Sequence, residues 1–138
     1  MYKKCTPLQQ KMLVDRALEA RQNAYAPYSH FNVGAALLCE DGTVYTGCNI
    51  ENQSYPAGIC AERAALAAAV SQGQRRFSAI AVAGGDVPIT PCGICRQALA
   101  EFGEMEVICS SAQKDFFSIS LKELLPHGFC LADAQAKR

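Results

Sequence analysis

Three cysteines and one glutamate in this chain are spaced for metal chemistry. Cys60-Ala61-Glu62-Arg63 supplies a thiolate and, two residues on, a carboxylate. Pro91-Cys92-Gly93-Ile94-Cys95 supplies two more thiolates three positions apart. Structural zinc sites close their tetrahedron with four protein ligands, whereas catalytic ones leave the fourth position to water. Cys60, Cys92 and Cys95 therefore read as an incomplete zinc shell, with one Zn2+ per chain. Glu62 is placed as a general acid/base beside the water that such a metal activates. Arg63 is positioned to donate hydrogen bonds to the sulfurs and offset their charge, and Arg96 is a second candidate for that role. A closed structural site with Cys109 or Glu62 as fourth ligand, or a redox-active Cys-x-x-Cys pair, is compatible with the same residues.

The elements that must position these groups are legible in the patterning. Thr6-Pro7-Leu8-Gln9 has the form of a capping box with proline in the first turn, opening a helix expected to reach about Ala24. Ala26-Pro27-Tyr28-Ser29 breaks it. Phe31–Cys39 and Thr43–Asn49 form a hairpin around Glu40-Asp41-Gly42. A loop, Ile50–Ile59, leads into an alanine-rich helix, Cys60–Gln72, stopped by Gly73. Phe77–Ala83 is a buried strand, Cys92–Phe102 a helix, Glu106–Ser110 a strand and Phe116–Ile119 a last strand. Ser120-Leu121-Lys122-Glu123 is a second capping box, opening a short helix that stops before Pro126. The order α-β-β-α-β-α-β-β-α predicts an α/β fold with a mixed five-stranded sheet covered by helices, its later strand-helix-strand unit forming a parallel crossover. Both cysteine segments then fall at helix starts, where positive helix ends favour thiolates.

Composition narrows the classes. The 138 residues fit a single domain spanning 1–138, and a hydrophobic content of 50% supports a folded core. Thirteen basic residues balance thirteen acidic ones, which gives no electrostatic footprint for nucleic acid or an anionic membrane. Met1-Tyr2-Lys3-Lys4-Cys5 lacks the form of a signal segment, and no apolar run approaches spanning length. The expected location is the cytoplasm. In a reducing compartment the eight cysteines are metal ligands or core residues rather than disulfides. Cys39, Cys48 and Cys109 lie in apolar strand-like runs and are expected in the core. Cys5 and Cys130 carry no readable message, and His30 and His127 read as surface residues.

The Cys60-x-Glu62 and Pro91-Cys92-x-x-Cys95 pair resembles the zinc deaminase signature. Further segments resemble the small homotetrameric branch of the cytidine deaminases. These are Ala26-Pro27-Tyr28-Ser29, Phe31-Asn32-Val33-Gly34-Ala35-Ala36-Leu37, Gly47-Cys48-Asn49-Ile50-Glu51-Asn52, Arg96-Gln97, and Leu124-Leu125-Pro126 with Phe129. The resemblance covers nearly the whole chain and implies a three-layer α/β/α domain. It implies hydrolytic deamination of cytidine and 2′-deoxycytidine in pyrimidine salvage. The zinc would activate the water that attacks C4 of cytosine, and Glu62 would shuttle protons. Asn49 and Glu51 would hold the ribose 3′-hydroxyl, and Phe31 would line the base pocket. Tyr55 and Phe129 would complete a neighbouring subunit's site, making a homotetramer with composite active sites. Gln53 departs from the family pattern, which commonly has a small residue there. Other readings carry different signatures. A deaminase acting within RNA or DNA lacks the basic, aromatic strand-binding stretch it would need. A zinc-stabilised interaction module would need a closed four-ligand site and leaves Glu62 without a role. A deaminase of a modified nucleoside antibiotic is a further variant of the enzyme reading.

Overall fold

A computed structural model describes residues 3–136, so residues 1–2 and 137–138 of the expected 1–138 domain lie outside the described residues. Chain order is α1 (Pro7–Arg21), β1 (Gly34–Cys39), β2 (Val44–Cys48), a single 3-10 turn (Tyr55–Ala57), α2 (Ala61–Ser71), β3 (Phe77–Ala83), α3 (Gly93–Ala100), β4 (Glu106–Ser110), β5 (Phe116–Ser120), α4 (Leu121–Leu124) and α5 (Leu131–Ala136). The five strands lie in the order β2-β1-β3-β4-β5. Only β3 and β4 run parallel, with α3 as their crossover; the other pairs are antiparallel.

Alternation along the strands divides the core into two layers. Leu37, Ile80, Val82 and Val107 face α2 and α3, where Ala65, Leu66 and Leu99 close over them. Ala36, Ala79, Ala81 and Ile108 face the other way, onto Leu13, Val14 and Ala17 of α1. Small residues dominate this second layer, and they let α1 lie close to the sheet. A Cβ at Gly34 would sit 1.8 Å from the carbonyl oxygen of Ala17. On the opposite face α2 also lies close to β2. A Cβ at Gly47 would meet the Ala65 nitrogen at 2.5 Å and the Ala61 oxygen at 2.6 Å. The fold class is therefore the expected mixed five-stranded sheet between helical layers.

The opening capping box forms in full, with Thr6 Oγ1 accepting from the Gln9 N–H and Gln9 Oε1 accepting from the Thr6 N–H. The second forms by half. Ser120 Oγ accepts from the Glu123 N–H, but the Glu123 carboxylate accepts from the Ser120 hydroxyl and not from the Ser120 backbone N–H. α1 ends at Arg21 and not near Ala24. The N–H groups of Asn23 and Ala24 turn tightly onto Ala20 and Arg21, and Tyr25 crosses to Asn49. β1 begins at Gly34 and not Phe31, since side chains claim the preceding backbone: Asn49 takes the Val33 N–H and Arg21 the Asn32 carbonyl. α3 ends at Ala100, where the Phe102 N–H turns onto Leu99. α5 carries no cap or periodic pattern long enough to have been read.

Cys39 and Cys109 are buried as expected, while Cys48 is only half-buried. Cys5 is buried too, and its backbone N–H donates to Glu106 Oε1 at 2.6 Å. Glu106 is fully buried, with no cationic partner among the described residues. Its other oxygen accepts from Gln10 Nε2 at 2.6 Å and from the Ser118 hydroxyl. Three donors thus hold an ionised carboxylate between α1, β4 and β5.

Candidate metal centre

Both metal-binding segments sit where helices begin. Cys60 is the N-cap of α2, Cys92 is the N-cap of α3, and Cys95 lies in the first turn of α3. Extended backbone at each cap turns the sulfurs inward, and the two helix ends favour negative charge there. The Sγ atoms of Cys60, Cys92 and Cys95 all lie within 4.8 Å of one another, with Cys60 and Cys92 3.7 Å apart. Among the described residues no further thiol, carboxylate or imidazole joins that cluster. Cys109, the alternative fourth ligand, is buried within β4. A closed four-ligand site is therefore not built. Three convergent sulfurs with no fourth protein donor fit zinc with one exchangeable position.

Arg63 reaches the cluster from behind. Its Nε is 3.5 Å from Cys95 Sγ and its Nη2 3.6 Å from Cys60 Sγ. Bonds to these two sulfurs hold its guanidinium protonated. The hydrogen bond from Cys95, aided by Arg63, lowers the Cys60 thiol and correspondingly raises Cys95. Arg96 does not share this role. Its donors go to the Pro91 carbonyl at 2.7 Å, the Leu124 carbonyl at 2.8 Å and Thr90 Oγ1 at 3.1 Å. The expected contact from Arg96 to sulfur is thus replaced by a brace on the backbone leading into Cys92.

Beside the cluster opens a cavity of about 1000 Å³. Cys60, Cys92 and Glu62 line it, and so do Asn49 and Glu51, together with Phe31 and Tyr55. Glu62 is only 4% exposed. Burial pushes its carboxyl up to about 7; the nearby Cys60 thiolate adds to this, while its own N–H and Arg63 oppose it. A carboxyl poised there can both accept and return a proton at neutral pH.

The polar groups lining the cavity are fixed. Asn49 Oδ1 accepts from the Val33 N–H at 2.9 Å, and its Nδ2 donates to the Phe31 carbonyl at 2.8 Å. Glu51 Oε1 accepts from the N–H groups of Tyr28 and Ser29 at 3.0 and 3.1 Å, and Oε2 accepts from the Ser29 hydroxyl. These bonds, the Ser29 hydroxyl foremost, hold the Glu51 carboxyl below its ordinary range. Ser29 had no assigned role in the sequence; its signals were its place in the Pro27 turn and in the Ala26-Pro27-Tyr28-Ser29 segment of the family resemblance. Phe129 does not line this cavity. It is 68% exposed on the surface, and Tyr55, at the cavity rim, is 81% exposed. Gln53 is exposed and does not line the cavity either, and His30 and His127 are exposed surface residues.

Comparison with known proteins follows the same lines. Residues 7–111 match the cytidine and deoxycytidylate deaminase zinc-binding region. A cytidine deaminase from Sporosarcina psychrophila is 49% identical over 124 residues, covering 88% of this chain and 91% of that protein. One from Halalkalibacterium halodurans is 47% identical over 129 residues, covering 91% of this chain and 98% of that protein. The crystal structure of cytidine deaminase from Burkholderia pseudomallei superposes with a TM-score of 0.83 at 48% identity, covering 86% of this chain and 98% of that one. With its three-sulfur cluster, its buried glutamate and these matches, the chain belongs to the cytidine and deoxycytidylate deaminase zinc-binding family.

Proposed function

We propose that this protein hydrolyses cytidine and 2′-deoxycytidine to uridine and 2′-deoxyuridine with release of ammonia. The observation that carries the reading is the buried Glu62, which shares one cavity with the sulfur cluster and with Glu51. Zinc held by Cys60, Cys92 and Cys95 supplies the Lewis acidity that makes water a nucleophile at neutral pH. Glu62 takes a proton from the attacking water and delivers it to N3 of the ring. It then takes the proton of the new hydroxyl on C4 and passes it to the amino group, which leaves as ammonia. Its two transfers need a carboxyl near neutrality, and its burial provides one. Arg63 withdraws charge from two sulfurs and so preserves the acidity of the site.

Glu51 and Asn49 receive the sugar. Glu51 has three of its lone-pair positions filled by Tyr28 and Ser29, which leaves acceptor capacity for a hydroxyl donor such as the ribose 3′-OH. Asn49, fixed by Phe31 and Val33, retains one N–H for the same group. Phe31 lines the base end. Tyr55 and Phe129, both exposed, complete the cavity of a neighbouring subunit in a homotetramer. The residues of 1–138 act as one catalytic domain per chain, working in pyrimidine salvage in the cytoplasm. Among the described residues no helix is long and apolar enough to cross a membrane.

The test is loss of cytosine absorbance with zinc-loaded protein on cytidine, 2′-deoxycytidine, 3′-deoxycytidine, cytosine and CMP. Turnover of the first two, with cytosine and the 3′-deoxy analogue poor, is expected. Equal turnover of cytidine and its 3′-deoxy analogue would remove Glu51 from the sugar site, and no turnover of any nucleoside would overturn the assignment.

A further inference from the structure

We propose that Gln97 is a positioning residue for Phe129, so that helix α3 holds its own subunit's metal cluster at one end and presents an aromatic ring to a neighbour with the residues that follow. The inference rests on the reading that Phe129 completes a neighbouring cavity.

Helix α3 faces two ways. Its N-cap and first turn place Cys92 and Cys95 in the cluster. The next two residues bind the end of α4 and the chain that follows it. Arg96 donates to the Leu124 carbonyl. Gln97 pairs with Phe129 through both amide atoms: Nε2 donates to the Phe129 carbonyl at 3.1 Å, and Oε1 accepts from the Phe129 N–H at 3.2 Å.

A primary amide bonded to the N–H and C=O of one residue reproduces the pairing of two antiparallel strands. Two bonds from one amide fix the rotation of that backbone, and the direction in which Cβ leaves it follows. Phe129 lies in irregular chain between α4 and α5, so no strand or helix ladder does this for it. Ordering an irregular residue is entropically unfavourable, and here the ring gains little core burial to offset that. The chain therefore fixes the backbone of an exposed aromatic that its own cavity does not use. A ring aimed at a second molecule requires such an arrangement, because a freely rotating one would lose conformational entropy on every binding event. Since Cys95 and Gln97 are two residues apart on one helix, movement of the metal cluster also moves the ring.

The experiment measures KM, kcat and zinc content for Gln97→Ala, Phe129→Ala and the double variant. Gln97→Ala is expected to raise KM for cytidine about three- to tenfold, the scale of one or two neutral hydrogen bonds. Zinc stays at one per chain and kcat stays close to wild type, because a ring that stacks equally on substrate and transition state affects KM alone. The double variant should match Phe129→Ala, since Gln97 acts only through that ring. Gln97→Glu keeps the side-chain length but opposes an oxygen to the Phe129 carbonyl, and should reproduce the rise in KM; it serves equally if the alanine variant misfolds. A raised KM in Phe129→Ala with wild-type KM in the Gln97 variants overturns this inference alone. Effects that add in the double variant, or zinc loss in the Gln97 variants, also overturn it. An unchanged KM in Phe129→Ala overturns both it and the neighbouring-cavity reading.

Discussion

The guanidinium of Arg63 spans two thiolates that start from different helices, lying 3.5 Å from Cys95 Sγ and 3.6 Å from Cys60 Sγ. One cation thus ties the first turn of α2 to the first turn of α3 and drains charge from both sulfurs. Three thiolates around a dication leave an electron-rich centre, poorly suited to acidifying water unless such donors are present.

Arg63→Ala should therefore keep its zinc but lose about 10–100-fold in kcat/KM. With more sulfur charge reaching the metal, the acid limb of the pH–rate profile should move to higher pH. Arg63→Lys should not restore the wild-type profile, because one ammonium cannot reproduce the fork that meets two sulfurs. Rate profiles of the purified variants with parallel metal analysis check this; an unchanged rate and profile would mean that the guanidinium is ornamental to the chemistry.

Glu62→Gln should retain zinc and fold while losing at least about 10²–10⁴-fold in kcat, since an amide cannot carry either proton transfer. Single-turnover kinetics with cytidine is the measurement. A variant retaining more than about a tenth of wild-type kcat lies outside the range for a general acid/base and would reassign the shuttle.

Gly47→Ala tests how the metal helix is seated. Its Cβ would enter the backbone of α2 at Ala61 and Ala65, atoms that cannot swing aside. Helix α2 must lift from β2, and its first turn carries Cys60 and Glu62. Loss of about 1–3 kcal/mol of stability is expected from such overpacking, together with faster zinc release to a chelator. A wild-type melting temperature and chelation rate would show that the sheet yields instead.

Glu106→Gln should destabilise the fold by about 2–3 kcal/mol at pH 7, because one of its oxygens becomes a donor facing donors. The sign with pH is set by the direction of its shift. Burial opposes ionisation, but the bonds from Ser118, Cys5 and Gln10 outweigh it and lower the carboxyl below 4.5. Its contribution is complete above pH 4.5 and is lost as pH falls through the lower folded value. The stability gap between wild type and Glu106→Gln in urea unfolding should accordingly be full at pH 6–7 and close below pH 4.5. A gap independent of pH would mean that the carboxylate is not ionised in the fold.

Groups with a local signature were legible in the sequence. Cys60-x-Glu62, Cys92-x-x-Cys95 and the capping residue Thr6 each depend on neighbours within a few positions. β3 and β4 were found with their full bounds because each is a short apolar run with polar flanks. What was missed depends on long-range partners. Arg96 follows Cys95 directly, yet Leu124, 28 residues away, draws it from the sulfurs. Asn49, 16 residues after Val33, shortens β1 by taking its N–H. Neither Gln97 nor Ser29 has a periodicity or charge pattern that marks it. A side chain that bonds loop backbone leaves no trace until the loop has a path.

The tie between Cys5 and Glu106 also bears on how the chain is made. Its two ends are 101 residues apart. At about 5–20 residues per second of synthesis, α1 waits several seconds for the carboxylate that anchors it. The strands that cover Leu13 and Val14 emerge in the same interval, and β4, which supplies Ile108, comes last among them. Docking of the first helix is thus deferred until most of the polypeptide has left the ribosome. Slowing translation between β3 and β4 would prolong the exposure of α1 to holdases and proteases without altering one contact of the finished enzyme.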